Sequence, residues 1–181
     1  MYISEAKQMK KIEKPVEGDY APYAIMYIGL LPDDGLVLNY LADNLKATED
    51  FILSLPEEKL VYRYAESKWT IKEILVHIID DERIYAYRAL RFARNDKTEL
   101  PGFEQDAYAI HSGANERDIK DILNELATVR RATISLFEGF TDEALMRVGR
   151  ADGKIMSVRA AAYHIAGHEM RHINIIRERY L

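Results

Sequence analysis

One segment of the chain, residues 116–140, repeats apolar side chains at intervals of three and four residues without a break. In an α-helix this spacing places all of these side chains on a single face. The face consists of Ile119, Ile122, Leu123, Leu126, Val129, Thr133, Leu136, Phe137 and Phe140. A long helix with one apolar face has to bury that face against other elements, so the chain must form a layered helical structure.

Three further segments have the same helical period. The first covers residues 34–55 and ends at Pro56, which cannot continue a helix. The second covers residues 70–94 and opens with a threonine and a glutamate at the spacing of a capping box. The last covers residues 157–181 and opens with a serine that can cap it. Four long amphipathic helices in 181 residues predict an all-α protein built as a four-helix bundle.

The rest of the chain is rich in residues that break helices. In residues 1–33 we expect an irregular lead-in, because Pro15, Gly18, Pro22 and Pro32 interrupt any helix there. Its apolar run, residues 20–31, is expected to lie across the surface of the bundle or to contact a second subunit. Asp152-Gly153 separates two short segments before the last helix, which predicts a small hairpin. Residues 34–181 are expected to form a single domain.

The composition excludes several classes of protein. The absence of cysteine excludes disulfide bonds, thiolate metal sites and a cysteine nucleophile. The net charge of -5 argues against a nucleic-acid partner, because phosphates attract basic surfaces. No stretch approaches the ~20 apolar residues needed to span a bilayer. The polar N-terminus does not have the pattern of a signal peptide. We therefore expect a cytoplasmic protein without a membrane partner.

Three histidines of the last helix, His164, His168 and His172, are spaced by four residues. Neighbours at this spacing have Cβ atoms ~5–6 Å apart, close enough for both imidazoles to reach one metal ion. The outer two are separated by a rise of ~12 Å and cannot readily share one ion. One ion would therefore take either the first pair or the second. The alternative is that these are core histidines bonded to polar side chains.

A third ligand must come from another helix, because binding and catalytic sites commonly use three protein ligands. His77 lies within an apolar stretch of the second long helix and is the leading candidate. Taken alone, it is better interpreted as a histidine at the edge of an apolar face, and only the histidine pair on a facing helix makes it the leading third ligand. His111 falls in a long connection and is expected to be exposed to solvent.

Residues 168–172 match HExxH, the zinc-protease motif in which the glutamate is the general base. Only nine residues follow His172, which leaves little chain for a downstream ligand, and no substantial sheet is predicted to bind a peptide. A metallopeptidase is thus the less favoured interpretation. The catalytic residues stay unassigned, with Glu169 as the one candidate. Its alternatives are a residue that supports a metal ligand and a residue on the helix surface.

The sequence resembles the DinB-like superfamily, including its YfiT-type members. The resemblance covers residues 36–181 and rests on four stretches. They are residues 68–77 (KWTIKEILVH), residues 81–94 (DERIYAYRALRFAR), residues 100–108 (LPGFEQDAY) and the histidine segment 168–172.

This resemblance implies a four-helix bundle of the up-down-down-up type, often dimeric, with a three-histidine metal site. The positions of the family's ligands correspond to His77, His168 and His172, which leaves His164 as a neighbour of the site. Characterised members of the family resemble thiol S-transferases or isomerases that use low-molecular-weight thiols. A homodimer and a small-molecule substrate, with such a thiol as one candidate, are therefore expected.

Three neutral imidazoles suit zinc or nickel, with iron, manganese and copper as further candidates. Such an ion activates a bound water or thiol, which predicts a metal-dependent enzyme of the hydrolase or S-transferase type. Because the chain has no cysteine, any thiol must come from a cosubstrate. The alternative is a non-catalytic bundle that binds a metal or another ligand. Asp80, Asp81 and Glu169 are candidates for orienting the imidazoles.

The second long helix also carries four arginines: Arg83, Arg88, Arg91 and Arg94. We expect a solvated face with acidic neighbours. The functional alternative is a rim that recognises the carboxylates or phosphates of a cosubstrate. The neighbouring Tyr85 and Tyr87 are expected to be packing residues rather than catalytic acids.

Overall fold

The computed structural model describes residues 8–181, and its architecture is a four-helix bundle with short additional elements. The helices and strands are α1 Ile25–Ile28, α2 Val37–Leu53, α3 Glu57–Leu60, α4 Ile71–Ala93, α5 Gln105–His111, α6 Ile119–Glu138, α7 Asp142–Leu145, β1 Val148–Ala151, β2 Lys154–Ser157 and α8 Val158–Arg179. Each of the four predicted long helices is present, with ends within a few residues of the prediction.

Local capping determines where three of the long helices begin. Thr70 and Glu73 form the predicted capping box at the start of α4. Asp118 accepts a backbone N–H at the start of α6, and Ser157 accepts that of Ala160 at the start of α8. These bonds satisfy backbone donors that a helix cannot satisfy by itself.

The directions in which the four long helices run follow from two separate core clusters. The first cluster combines the beginnings of α2 and α8 with the ends of α4 and α6. The second combines the ends of α2 and α8 with the beginnings of α4 and α6. Hence α2 and α8 run one way, and α4 and α6 run the other way. This confirms the up-down-down-up arrangement, in which α4 packs against both α6 and α8.

The lead-in is more ordered than the sequence suggested. Residues 8–19 have no helix or strand, as expected, but Pro22–Ala24 forms a 3₁₀ turn that continues into α1. Ala24 and Ile28 are buried, and α1 packs against α8. The run of residues 20–31 therefore lies on the bundle, which is one of the two expected placements. Residues 1–7 of the predicted lead-in lie outside the described residues.

The predicted hairpin is confirmed as the antiparallel pair β1 and β2. Asp152 and Gly153 have φ angles of 53° and 69°, as a tight I′ hairpin turn requires. The strand ladder leads directly into α8, and the lead-in is tied to the same point because Ser157 donates its N–H to the carbonyl of Asp19 at 2.7 Å. The start of the histidine-bearing helix is thereby fixed.

Within residues 8–181, none of the helices combines the length and the apolar character that crossing a bilayer would require.

Candidate metal centre

His77 of α4 meets His168 and His172 of α8 between these two antiparallel helices. The ligand nitrogens of the three side chains all lie within 4.8 Å of one another. The Nε2 atoms of His77 and His168 are 3.1 Å apart. Both of these side chains are only 4% exposed, whereas His172 is partly exposed. The packing of α4 on α8 therefore gathers the three histidines that the family resemblance selected.

Burial keeps these imidazoles neutral. Desolvation lowers the pKa of His77 and holds that of His168 well below its usual value. Desolvation, reinforced by His77, lowers the pKa of His172 to about 3. Near neutral pH all three rings thus offer lone pairs instead of positive charge, which is the form that binds a metal ion.

The geometry of the donors fits a divalent ion. Two imidazole nitrogens bound tetrahedrally at ~2.0–2.1 Å from one ion lie about 3.4 Å apart. The observed 3.1 Å between His77 and His168 is close to that value. Three nitrogen donors also leave a coordination position for water or substrate, as catalytic sites do. The cluster could therefore hold an ion without a large movement of the backbone.

His164 does not belong to the converging set. Its Nε2 lies 3.1 Å from Oδ2 of Asp81, and its ring stacks on Tyr85 with centroids 3.6 Å apart. The same Oδ2 lies 3.4 Å from Nδ1 of His168. Of the two pairs that the helical spacing allowed, only 168 with 172 converges on His77. Of the three acidic residues considered as orienting partners, Asp81 is the one with a contact to these histidines.

Asp81 is a buried carboxylate beside the cluster. Burial alone would raise the pKa of its carboxyl, but the neighbouring His168 and His164 outweigh that effect and lower it below the usual range. The side chain is only 4% exposed. Asp81 is therefore an ionised acceptor at neutral pH, set between two imidazole rings.

A cavity of about 210 Å³ opens beside His172, and its lining includes Tyr64, Lys68, Trp69, Asp106 and Tyr180. The indole ring of Trp69 packs against His77 at a centroid distance of 4.7 Å. It is also nearly parallel to the ring of His172. Because His77 and His168 are buried, the side of His172 is where the cluster can be reached from solvent.

The opposite side of the cluster is covered by the lead-in. Tyr27 of α1 packs its ring edge-on against His164 and His168 at centroid distances of 4.8 and 5.3 Å. The backbone of Tyr27 comes so close to α8 that only a glycine, Gly167, fits beneath it. Sequence reasoning placed no residue of the lead-in at the site. The aromatic run of residues 20–31 was the available signal.

Glu169 lies in a different buried group. Its carboxylate accepts a hydrogen bond from Thr48 and lies 2.8 Å from the guanidinium of Arg130. The side chain is 0% exposed, so the expectation of a surface position is wrong. Arg130 also binds Glu82 and the carbonyl of Leu41, and we call these five residues the ionic network. These contacts hold the Glu169 carboxylate between α2, α6 and α8.

The sequence pattern contained a signal for the ionic network that was not used. Arg130 follows Leu126 by four residues and precedes Thr133 by three, which places it on the apolar face of α6. A charged residue at such a position requires a buried partner.

The four arginines considered in the sequence have different surroundings, and the last of them, Arg94, directly follows the end of α4. Arg83 is exposed and pairs with Glu125, Arg91 pairs with Asp96, and Arg94 is exposed. Arg88 departs from the expected solvated face, because it is 7% exposed and donates to the carbonyl of Pro101 at 3.1 Å. Its guanidinium also lies 5.0 Å from the centroid of the ring of Tyr85.

Tyr85 is buried and packs on His164, as expected of a packing residue. Tyr87 is 50% exposed, so the expectation of a packing residue is wrong for it. His111, at the end of α5, is exposed and does not belong to the cluster.

Comparisons with known proteins agree with this arrangement. A sequence model of the DinB superfamily matches residues 40–176. A protein of Oceanobacillus iheyensis, provisionally named as a metal-dependent hydrolase, is 31% identical over 127 residues, which are 68% of this chain and 72% of that protein. The solved structure of YfiT from Bacillus subtilis, described as a probable metal-dependent hydrolase with an unusual four-helix bundle topology, superposes with a TM-score of 0.66. That match covers 94% of this chain and 91% of the other at 17% identity, and it shows a shared fold.

Proposed function

The chain belongs to the DinB superfamily, and we propose that it is a metal-dependent enzyme that acts on a small molecule. His77, His168 and His172 would bind one divalent ion. The observation that carries this proposal is the convergence of three neutral imidazoles within 4.8 Å of one another. The provisional name of the Oceanobacillus iheyensis relative supports hydrolysis as the reaction type.

A divalent ion bound by three neutral imidazoles lowers the pKa of a water or thiol molecule that it binds. The protein contributes the surroundings of that reaction. Trp69 and Tyr27 cover the imidazoles on two sides and exclude water, while the cavity beside His172 leaves access on a third. Since the chain has no cysteine, a thiol reaction would use a thiol cosubstrate that enters this cavity.

A cavity of about 210 Å³ suits a small substrate better than a polymer. Lys68 and Asp106 in its lining offer one positive and one negative side chain to polar groups of that substrate. Zinc and nickel are the first candidates for the ion, with iron, manganese and copper after them, because imidazole nitrogen suits several of these metals.

We further propose that the protein is a cytoplasmic homodimer. Exposed apolar side chains in and just after α1 support the dimer: Ile25, Met26 and Leu30. Sedimentation analysis of the wild type and of Ile25→Lys tests it. A wild type that stays monomeric at micromolar concentration would contradict the dimer.

Metal analysis of protein purified without an affinity tag tests the site. The wild type should carry one ion per chain, and His77→Ala, His168→Ala and His172→Ala should each lose most of it. The control is His111→Ala, whose side chain is exposed and does not belong to the cluster, and it should keep the ion. Full occupancy in all three site variants would overturn the assignment.

A substrate screen of the loaded protein tests catalysis. It should include activated esters and amides for hydrolysis, and cellular thiols with an electrophilic aromatic for S-transfer. Turnover that disappears in His172→Ala supports the enzyme. Stoichiometric metal binding with no turnover across these classes favours the non-catalytic binding bundle instead.

A further inference from the structure

We propose that Asp81, itself held by His164, is a positioning residue that fixes the tautomer and ring orientation of His168. Its contact would direct Nε2 of His168 toward His77 and the ion. This inference rests on the proposed function insofar as His168 is taken as a metal ligand. The tautomer of the ring is a property of the protein alone.

The two nitrogens of the His168 ring have different surroundings. Nδ1 lies 3.4 Å from Oδ2 of Asp81, and Nε2 lies 3.1 Å from Nε2 of His77. A neutral imidazole carries one N–H, and an ionised carboxylate can only accept a hydrogen bond. The proton of His168 therefore belongs on Nδ1, where Asp81 attracts it. This leaves the lone pair on Nε2, on the side of the other two histidines.

His164 determines where that carboxylate stands. Its Nε2 lies 3.1 Å from the same Oδ2 of Asp81, so Nε2 carries the proton of the His164 ring. Its Nδ1 is buried and has no hydrogen-bond partner in the described part of the chain. Leaving an acceptor unpaired costs free energy. The bond to Asp81 is thus the polar contact that orients this ring.

Aromatic packing holds the pair in place. The Tyr85 ring is parallel to that of His164 within 6°, with centroids 3.6 Å apart. Tyr27 also contacts the ring of His164, edge-on. Tyr85 in turn shares a hydrogen bond of 3.0 Å with Tyr23 of the lead-in. His164 therefore cannot turn away from Asp81 without disturbing the rings of Tyr85 and Tyr27.

The helical spacing makes this contact a consequence of register. His77 and Asp81 are four residues apart on α4, and His164 and His168 are four apart on the antiparallel α8. Each pair lies on one face of its helix. When His77 faces His168, Asp81 therefore falls between His168 and His164. The same packing of α4 on α8 therefore produces both the contact of Asp81 with His168 and the convergence of the three histidines.

Carboxylates bonded to ligand imidazoles fix the tautomer and increase the basicity of the ligand. We expect Asp81→Asn to weaken zinc binding by about 10–100-fold, measured by competition with a chelator. Asp80→Asn is the matched control, because Asp80 is the neighbouring carboxylate and contacts Arg83 instead of a histidine. It should bind zinc as the wild type does.

The tautomers are read directly by ¹⁵N NMR of histidine-labelled apo protein at pH 7.5. In the wild type, His168 should carry its proton on Nδ1 and His164 on Nε2. Asp81→Asn should shift the signals of His168 toward a mixture of tautomers. His164→Leu should weaken zinc binding, and His164→Gln, which can still donate to Asp81, should restore part of it.

Each failure has a distinct meaning. A wild-type His168 protonated on Nε2 overturns the positioning role and needs no variant that might fail to fold. Unchanged zinc affinity in Asp81→Asn overturns it as well and leaves the proposed metal site intact. Loss of zinc as complete as in His77→Ala would make Asp81 a ligand and also overturn the proposal. A wild type that binds no metal contradicts the proposed function, while the NMR measurement still decides the tautomer.

Discussion

The bundle contains two buried polar groups, and consecutive residues of α4 and α8 contribute to both. His168 belongs to the histidine cluster and Asp81 contacts it, whereas the next residues, Glu169 and Glu82, belong to the ionic network. In that network Arg130 contacts Glu82, Glu169 and the Leu41 carbonyl at 2.6 to 3.1 Å. The Leu41 carbonyl and the Thr48 hydroxyl come from α2, so all four long helices are joined through one guanidinium.

The histidine cluster is arranged in the opposite way. Its nitrogens point toward a common centre, and burial lowers the pKa of each ring so that none carries a charge near neutral pH. The ionic network pairs opposite charges within the protein, while the histidine nitrogens of the cluster keep lone pairs that can bind an added ligand such as a metal ion. We therefore interpret the network as structural and the cluster as a binding site, which solvent can reach only beside the partly exposed His172.

The largest expected change in unfolding free energy comes from removing Arg130, the central cation of the ionic network. Arg130→Met leaves two carboxylates, Glu82 and Glu169, buried without their partner. Breaking a buried pair in this way typically costs about 3–5 kcal/mol of unfolding free energy. Urea denaturation of the apo protein at pH 7.5 measures it.

A triple variant sharpens this prediction. Adding Glu82→Gln and Glu169→Gln to Arg130→Met removes the unpaired charges, so part of the lost stability should return. A loss below about 1 kcal/mol in the single variant would mean that the network is not structural.

The pH dependence of the apo protein separates the cluster from the network. The folded pKa values of His77, His168 and His172 lie below the unfolded value, so the unfolded chain binds more protons. Stability should therefore be full above pH ~6.5 and decrease as the pH falls toward the folded values. The slope can reach about 1.4 kcal/mol per pH unit for each histidine that stays neutral.

Denaturation between pH 7.5 and 4.5 measures that slope. His172→Gln should flatten it, because one of the suppressed protonations is removed. His111→Gln should leave it unchanged, since this side chain is exposed. A stability that does not vary with pH over this interval would contradict the description of the cluster as buried and neutral.

The bundle could be read from the sequence because its signals are local. Helical period and capping residues such as Thr70 and Ser157 lie within each segment, and they gave the four long helices. The choice between the two histidine pairs was not local. Both have the same spacing, and only the register of α4 against α8 places His77 opposite His168 and Asp81 beside His164.

The ionic network and the position of α1 could not be predicted from the sequence for a related reason. Arg130 shows an anomaly in its own helix, but its partners Glu82 and Glu169 are distant in the chain and cannot be paired without the packing. The contribution of α1 was missed because a helix of four residues is too short to show a period. Its position depends on a single glycine of α8, which the sequence does not distinguish from any other.

Gly167→Ala tests whether α1 is part of the enclosure of the cluster. A Cβ at this position would overlap the backbone carbonyl of Tyr27, so α1 must move away from α8. Overpacking of this kind costs about 1–3 kcal/mol of unfolding free energy. Water should then reach His164 and His168, and hydrogen exchange at the histidine ring signals should become faster.

The matched control is Gly153→Ala, whose Cβ would meet no atom within 4 Å but whose φ of 69° is strained. Equal exchange in the wild type and Gly167→Ala would mean that α1 does not shield the cluster.

The smallest effect is expected where an ion pair of the same type lies at the surface. The guanidinium of Arg83 lies 2.5 Å from the carboxylate of Glu125, but the Arg83 side chain is 49% exposed. Water already solvates both charges there, and exposed pairs contribute ~0–1 kcal/mol. Arg83→Gln should therefore change the unfolding free energy by less than about 1 kcal/mol, and 0.5 M sodium chloride should reduce the difference further. The same urea titration as for Arg130→Met makes the two results directly comparable. A cost for Arg83 equal to that for Arg130 would show that pairing itself, and not burial, determines what an arginine contributes to this bundle.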